Sequence, residues 1–134
     1  MTGGKSSYLA NALLDHALGG AEYERPETVW VALHTADPTD AGTGDEVSGG
    51  GYVRAALSND EISWSTAFMG EKSNQVQVVF PTATEDWGTV THIGLWDAAE
   101  GGNLLYHGSL ASAQTISTGI VALFRVGEIA VTED

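Results

Sequence analysis

Residues 28–35 have the sequence TVWVALHT, and this segment decides the fold class. Its β-branched and aromatic residues favour an extended chain. Because apolar side chains occupy both alternating positions, the segment is typical of a strand that is covered on both faces. It therefore predicts a central strand in a β-rich protein.

Shorter strands are predicted further along the chain. Residues 75–80 alternate between polar and apolar side chains, with Val76, Val78 and Phe80 on one face. The glycine-containing segment 98–103 separates residues 89–97 from residues 104–110 and predicts a hairpin. Turn residues recur at the spacing expected of a β-sandwich. We therefore predict an antiparallel, jelly-roll-like β-sandwich of roughly eight strands. The remaining strand candidates are residues 52–57, 61–65, 115–116, 120–126 and 128–132.

One amphipathic helix is predicted at about residues 6–18, before the first strand. Ser6 or Ser7 can cap its N-terminus, Leu9 and Leu13 lie on one face, and the glycine pair at 19–20 ends it. No repeat, linker or charge block divides the sequence. We therefore expect residues 1–134 to form a single domain.

The charge balance excludes several classes of partner. The chain has 18 Asp and Glu residues against 5 Lys and Arg residues, a formal net charge of −13. Nucleic acids and anionic membranes both require a cationic face, so neither is expected as a partner. The dispersed acidic residues favour either ordinary solubility or a halophilic source, where molar salt screens the repulsion. The absence of cysteine excludes disulfides and iron–sulfur clusters.

Two groups of side chains are candidate metal ligands. Three histidines on predicted strands could converge on a metal ion, but no HxH or HExxH spacing supports that hypothesis. An acidic loop offers the oxygen ligands that Ca²⁺ or Mg²⁺ prefers, although it lacks the cadence of a calcium-binding loop. We expect no other cofactor. The histidines are His34, His92 and His107, and the loop acids are Asp37, Asp40, Asp45 and Glu46.

No enzymatic motif is present in the sequence. It contains neither a GxSxG nucleophile turn nor the lysine that would make Gly49-Gly50-Gly51 a phosphate loop. A hydrolase with paired carboxylates remains an alternative that the spacing does not support. The aromatic residues leave open a lectin-like, carbohydrate-binding β-sandwich. Trp87 is the aromatic residue least explained by core packing.

Four long segments resemble a small family of tailed-virus proteins commonly labelled phage tail fibre proteins. The resemblance implies a non-enzymatic structural protein on the virion exterior, made in the host cytoplasm, with a mostly β fold. It brings no catalytic residues. The segments are Val29–Gly44, Glu46–Arg54, Phe80–Gly94 and Trp96–Tyr106.

The size of the chain limits what such a protein can be. A compact chain of 134 residues has a radius of gyration of about 14 Å, too small for a long fibre by itself. We expect a capsid decoration of turret type or a tail-fibre module, built as a trimer or pentamer. Expected partners are other copies, other virion proteins and a host-surface glycan or glycoprotein. The candidate interface residues are Leu9, Leu13, Trp30 and Tyr52.

The halophile hypothesis predicts strong stabilisation by salt. Raising the ionic strength from about 0.01 M to 1 M shortens the Debye length from about 30 Å to 3 Å, which screens the repulsion between surface carboxylates. The melting temperature should rise steeply with NaCl and rise further with MgCl₂ if the acidic loop binds cations, a gain that Asp40→Asn and Asp45→Asn should remove. A melting temperature that stays flat from low to molar salt would contradict the hypothesis.

Overall fold

The protein is a mainly β, antiparallel structure with one helix near its N-terminus. A computed structural model describes residues 2–133. In chain order the elements are β1 (Thr2–Lys5), α1 (Ser7–Ala17), β2 (Thr28–His34), β3 (Ala55–Ser58), β4 (Glu71–Ser73), β5 (Val78–Val79), β6 (Gly88–Trp96), β7 (Leu104–Ile116), β8 (Leu123–Phe124) and β9 (Ala130–Thr132).

The strands form one larger sheet and two small ones. The five-stranded sheet has the order β1-β7-β6-β2-β3, and the pairs β4-β9 and β5-β8 form the two-stranded sheets. Every one of these pairings is antiparallel. The predicted fold class is therefore confirmed, whereas the sandwich arrangement stays a prediction. No helix among residues 2–133 is long and apolar enough to cross a bilayer.

Ser6 begins helix α1 and also fastens it to the sheet. Its hydroxyl accepts the backbone N–H of Leu9 at 3.0 Å, which satisfies one of the free donors of the first turn. The same hydroxyl donates to the carbonyl of Leu104 at the start of β7. Helix α1 consequently packs on β7 and β1, with Leu9 buried beneath it.

Several strand boundaries differ from the sequence predictions. Residues 61–65 are not a strand, because the Asp60 carboxylate accepts the N–H groups of Ile62 and Ser63 and bends the chain into a turn. Of the strand predicted at residues 120–126, only β8 (Leu123–Phe124) forms, and it pairs with β5. The predicted hairpin is confirmed as β6 and β7, which pair on either side of residues 97–103.

Strand β2 divides the interior into two clusters by its alternation. Val29, Val31 and Leu33 belong to the large core cluster. Ala32 belongs to a smaller cluster with Trp96 and Leu104, against which Trp30 packs. We call the surface of the sheet that carries this smaller cluster the loop face, because the long connection between β2 and β3 begins on it.

Asn74 ties the C-terminal part of the chain to the body of the protein. Its buried amide donates to the carbonyls of Val76 and Arg125 and accepts the N–H of Ile129. Its backbone carbonyl also accepts the N–H of Gly127. Since an unpaired buried polar group costs about 1–3 kcal/mol, this one side chain fixes residues 125–129 in place.

Replacing the Asn74 amide should destabilise the protein strongly. The Asn74→Ala variant leaves three backbone groups without their partner, of which the N–H of Ile129 is fully buried, so we expect a loss of about 3 kcal/mol in urea unfolding followed by tryptophan fluorescence. The matched control is Asn103→Ala, which removes an exposed amide that bonds Asp97 and should cost under about 1 kcal/mol. Equal losses in the two variants would contradict this account of Asn74.

Candidate functional site

The connection between β2 and β3 begins on the loop face, where Gly42 lies beside Trp96 and Leu104, and then turns so that Val47 and Tyr52 pack into the large core cluster. We call residues 35–54 the long loop. The N–H of Thr35 donates to the carbonyl of Asp45 at 2.9 Å, and the N–H of Val47 donates to the carbonyl of Leu33 at 3.0 Å. Further along, the hydroxyl of Tyr52 accepts the N–H of Leu33 at 3.0 Å. The long loop therefore continues the hydrogen bonding of the sheet edge.

Arg54 joins the long loop to the hairpin loop of residues 97–103. Its Nε and Nη2 donate to the two carboxylate oxygens of Glu46 at 2.9 and 2.8 Å. Its Nη1 donates to the carbonyls of Ala98 and Gly101 at 2.8 and 2.9 Å. Arg54 is only 8% exposed, and its guanidinium carbon lies 4.3 Å from the centre of the Trp96 ring. Bidentate pairing and aromatic contact together compensate for the buried charge.

The Glu46 carboxylate is held in its ionised form. Burial by itself would raise its pKa, but the hydrogen bonds from Arg54 and Tyr52 outweigh burial, so the pKa lies below its usual range. The Tyr52 hydroxyl donates to Glu46 Oε2 at 2.6 Å, and burial followed by this bond raises the pKa of Tyr52. We call Glu46, Tyr52 and Arg54 the arginine clamp.

His34 lies on the loop face as a neutral, fully buried ring. Its Nε2 accepts the indole N–H of Trp96 at 3.3 Å, so its Nδ1 carries the proton that bonds the carbonyl of Gly44 at 3.2 Å. Burial lowers the pKa of His34. Gly94 makes this contact possible, because a Cβ there would lie 2.7 Å from both His34 Nε2 and Trp96 Nε1.

The arginine clamp forms one wall of an open cleft beside β2. The cleft has a volume of about 520 Å³ and is shared by the long loop and the hairpin loop. Trp30 contributes a half-buried ring from β2, and Glu100 contributes an exposed carboxylate from the hairpin loop. We call this feature the loop cleft. An aromatic surface bordered by carboxylates and by a fixed guanidinium suits a polar ligand that also has an apolar face.

The four predicted calcium or magnesium ligands are occupied by contacts within the protein. Asp40 Oδ1 accepts the Nε2–H of His107 at 2.8 Å, and Asp37 accepts the N–H of Thr39 and lies 3.7 Å from Nδ1 of the same histidine. Glu46 belongs to the arginine clamp. Asp45 bonds Thr35 through its backbone. Within residues 2–133, no group of three or more His, Asp or Glu side chains is arranged to hold a metal ion. A cation site at the acidic loop stays a prediction.

The predicted interface residues fall into two places. Trp30 and Tyr52 line the loop cleft, whereas Leu9 and Leu13 line an apolar groove beside helix α1. Their role as an interface stays a prediction. Trp87, in contrast, is a core residue, since it is 5% exposed, donates its indole N–H to the carbonyl of Gly50 at 2.9 Å and meets Tyr52 edge to face.

Sequence reasoning missed Arg54 and His107 as organising residues. Arg54 is one of five cations in a chain of 18 acids, and that scarcity was the available signal that it would be paired. The contact of His107 with Asp40 spans 67 residues of sequence, so no local pattern could reveal it. Arg54 fastens the long loop to the hairpin loop, and His107 fastens it to β7 of the five-stranded sheet.

The comparison with known families identifies the class of protein. A family model described as "Podophage GP4 fiber I protein gp80" matches residues 4–132, which is nearly the whole chain. The class is therefore that of phage fibre proteins, structural components of the virion exterior. The chain belongs to the family of the podophage GP4 fibre I protein gp80. No curated protein sequence matches it.

Lowering the pH should reduce the free energy of unfolding, because His34 is buried as a neutral ring on the loop face. Because burial lowers the pKa of His34 in the folded state, the unfolded state binds a proton more readily. Its contribution to stability is present above the unfolded pKa of about 6.5 and is lost as the pH falls below that value. Glu46, whose folded pKa is also lowered, should add a second loss below about pH 4.3.

Urea unfolding of the wild type between pH 8 and 5 should therefore show falling stability. His34→Gln should be less stable overall but should have a flatter profile in this window. The control is Asn103→Ala, which removes an exposed side chain that carries no titratable group and should retain the slope of the wild-type profile. A profile for His34→Gln as steep as that of the wild type would contradict the assignment.

Proposed function

We propose that the chain is a non-enzymatic module of an exterior tail fibre, and that its loop cleft binds a glycan on the host surface. The family match over residues 4–132 supports the first part. The single observation that carries the second part is the position of Trp30 in an open cleft between two loops that the arginine clamp connects.

The chemistry of the loop cleft favours a saccharide. A sugar ring presents C–H groups on one face, which pack against an aromatic ring such as that of Trp30, and hydroxyl groups at its edge. Glu100 and the outer part of Glu46 offer acceptors for those hydroxyls, and backbone groups of residues 48–49 and 99–101 border the same space. With a net charge of −13 the protein repels anions, so the preferred glycan is neutral.

The arginine clamp favours binding by fixing the cleft in advance. Loops that are ordered only by a ligand consume part of the binding free energy. Here the guanidinium of Arg54 already bonds both loops through four hydrogen bonds, so less ordering remains to be done. We infer that the cleft keeps its shape in the absence of ligand.

A tail fibre is the location that the family favours over a capsid turret. We propose that the protein is made in the host cytoplasm as one domain and associates there with its own copies and with other virion proteins. The acidic surface fits a virus of a halophilic host. Immunogold electron microscopy of intact particles tests the location, with label on the tail expected and label spread over the capsid as the contrary result.

Glycan binding is tested with an array of microbial surface polysaccharides and with titration of each hit. We expect a neutral glycan to bind the wild type, and we expect Trp30→Leu to weaken binding at least about tenfold, equivalent to 1.4 kcal/mol. Glu100→Gln should weaken it by a smaller factor, since that side chain is exposed.

The matched control is Tyr8→Leu, which removes an exposed aromatic ring on helix α1, away from the loop cleft. It should leave binding unchanged, and circular dichroism should show that all variants are folded. An array without hits, or equal binding by Trp30→Leu and the wild type, would refute the glycan proposal while leaving the fibre assignment intact.

A further inference from the structure

A hairpin on the C-terminal side of Trp64 exposes two large apolar side chains at its tip. Phe68 and Glu71 exchange backbone hydrogen bonds at 3.0 Å in both directions, with Met69 and Gly70 between them. The side chain of Phe68 is 76% exposed and that of Met69 is 90% exposed. We call Phe68 and Met69 the hairpin tip. Their exposure contributes nothing to the packing of their own chain.

The backbone at the hairpin tip is in an unfavourable conformation. Met69 has a φ of +52° and Gly70 a φ of +76°, as a two-residue turn with both central residues left-handed requires. A non-glycine residue in that region costs about 1–2 kcal/mol, and Asn or Gly is the usual choice at the first position. Met69 is therefore an apolar residue at a turn position where Gly or Asn would be more stable.

The hairpin tip is held in position by the C-terminal strand. Strand β9 pairs with β4 in the register Glu71 with Thr132, Lys72 with Val131 and Ser73 with Ala130. The N–H of Glu133 also donates to the carbonyl of Gly70 at 2.8 Å. Because β9 is in turn anchored through Asn74 and Ile129, the tip projects from an ordered support.

An apolar groove lies beside the base of the same hairpin. It has a volume of about 290 Å³ and runs between helix α1, the start of β2 and the pair β4-β9. Ala67 and Gly70, on either side of the tip, are among its lining residues, whereas Phe68 and Met69 are not. We call it the helix groove. Its main apolar lining consists of Leu9, Leu13, Val29, Trp64, Leu95 and Val131.

The helix groove is close to charge balance, unlike the protein as a whole. Arg25 and Lys72 line it together with Glu71 and Glu133, and a third cation, Lys5, pairs at 2.6 Å with Glu133. In a molecule with a net charge of −13, a second copy meets less repulsion here than over the acidic remainder of the surface.

We propose that the hairpin tip of one copy docks in the helix groove of a second copy. The tip offers the exposed apolar side chains and the groove offers the apolar, nearly charge-balanced surface that accepts them. The groove is not filled by its own tip, because Phe68 and Met69 are exposed and do not line it. Two copies that exchange tips reciprocally form a two-fold dimer, whereas copies that dock head to tail form a closed ring when the rotation between them closes.

The chain has enough surface for such a contact. A standard interface buries about 800 Å² on each partner, which is roughly a tenth of the 7525 Å² accessible surface of this chain. Aromatic and Met side chains are enriched at the centres of interfaces, and the tip supplies one of each. This inference does not depend on the glycan proposal, because the helix groove and the loop cleft share no lining residue.

Sedimentation equilibrium in molar NaCl tests the proposal. We expect the wild type to self-associate, and we expect the double variant Phe68→Ser/Met69→Ser to raise the dissociation constant at least about tenfold. The variant Leu13→Glu should have the same effect, because it places a carboxylate in the groove. The matched control is Leu18→Ser, whose side chain is 76% exposed like that of Phe68 and lies outside both surfaces.

Mixing the two variants distinguishes docking from a general loss of solubility or folding. The tip variant retains its groove and Leu13→Glu retains its tip, so a mixture can form one intact contact although each variant alone is monomeric. We expect association to return in the mixture. The proposal would be overturned by a wild type that is monomeric up to about 1 mM or by a mixture that stays monomeric. It would also be overturned if the tip variant associated normally, which would assign the contact to another surface.

Discussion

The buried ion pair between Arg54 and Glu46 is the interaction on which the arrangement of the long loop and the hairpin loop depends. A guanidinium that is 8% exposed is tolerated only when its donors are satisfied, and here they reach one carboxylate and two backbone carbonyls. Because those partners belong to two different loops, satisfying the charge also brings the loops together. The loop cleft exists as a defined shape for this reason.

The two faces of the five-stranded sheet carry different kinds of contact. One face packs against the large apolar cluster, which the small sheets β4-β9 and β5-β8 complete. The loop face carries His34, Trp96 and Gly94, whose contacts are polar or aromatic and leave space for the long loop.

Local sequence patterns predicted several strands and the helix, whereas the polar contacts between distant residues could not be predicted from the sequence. The run of apolar residues in β2 correctly predicted a buried strand, because side-chain period is a local property. The alternation at residues 75–80 correctly predicted that Val78 and Phe80 are buried, but only Val78–Val79 forms a strand. The strand predicted at 61–65 was wrong because Asp60 caps a turn there, a signal that was present in the sequence. The Arg54 contacts span up to 47 residues and the Asn74 contacts up to 55, so no spacing rule could identify them.

A double-mutant cycle on Arg54 and Glu46 tests the central claim most directly. Urea unfolding of the wild type, Arg54→Met, Glu46→Gln and the double variant gives the coupling between the two side chains. If the pair holds the loops together, each single variant is strongly destabilised and the coupling is at least about 1.5 kcal/mol, as for buried partners in one network. A coupling below about 0.5 kcal/mol would contradict the account, since it would mean that the two side chains act independently.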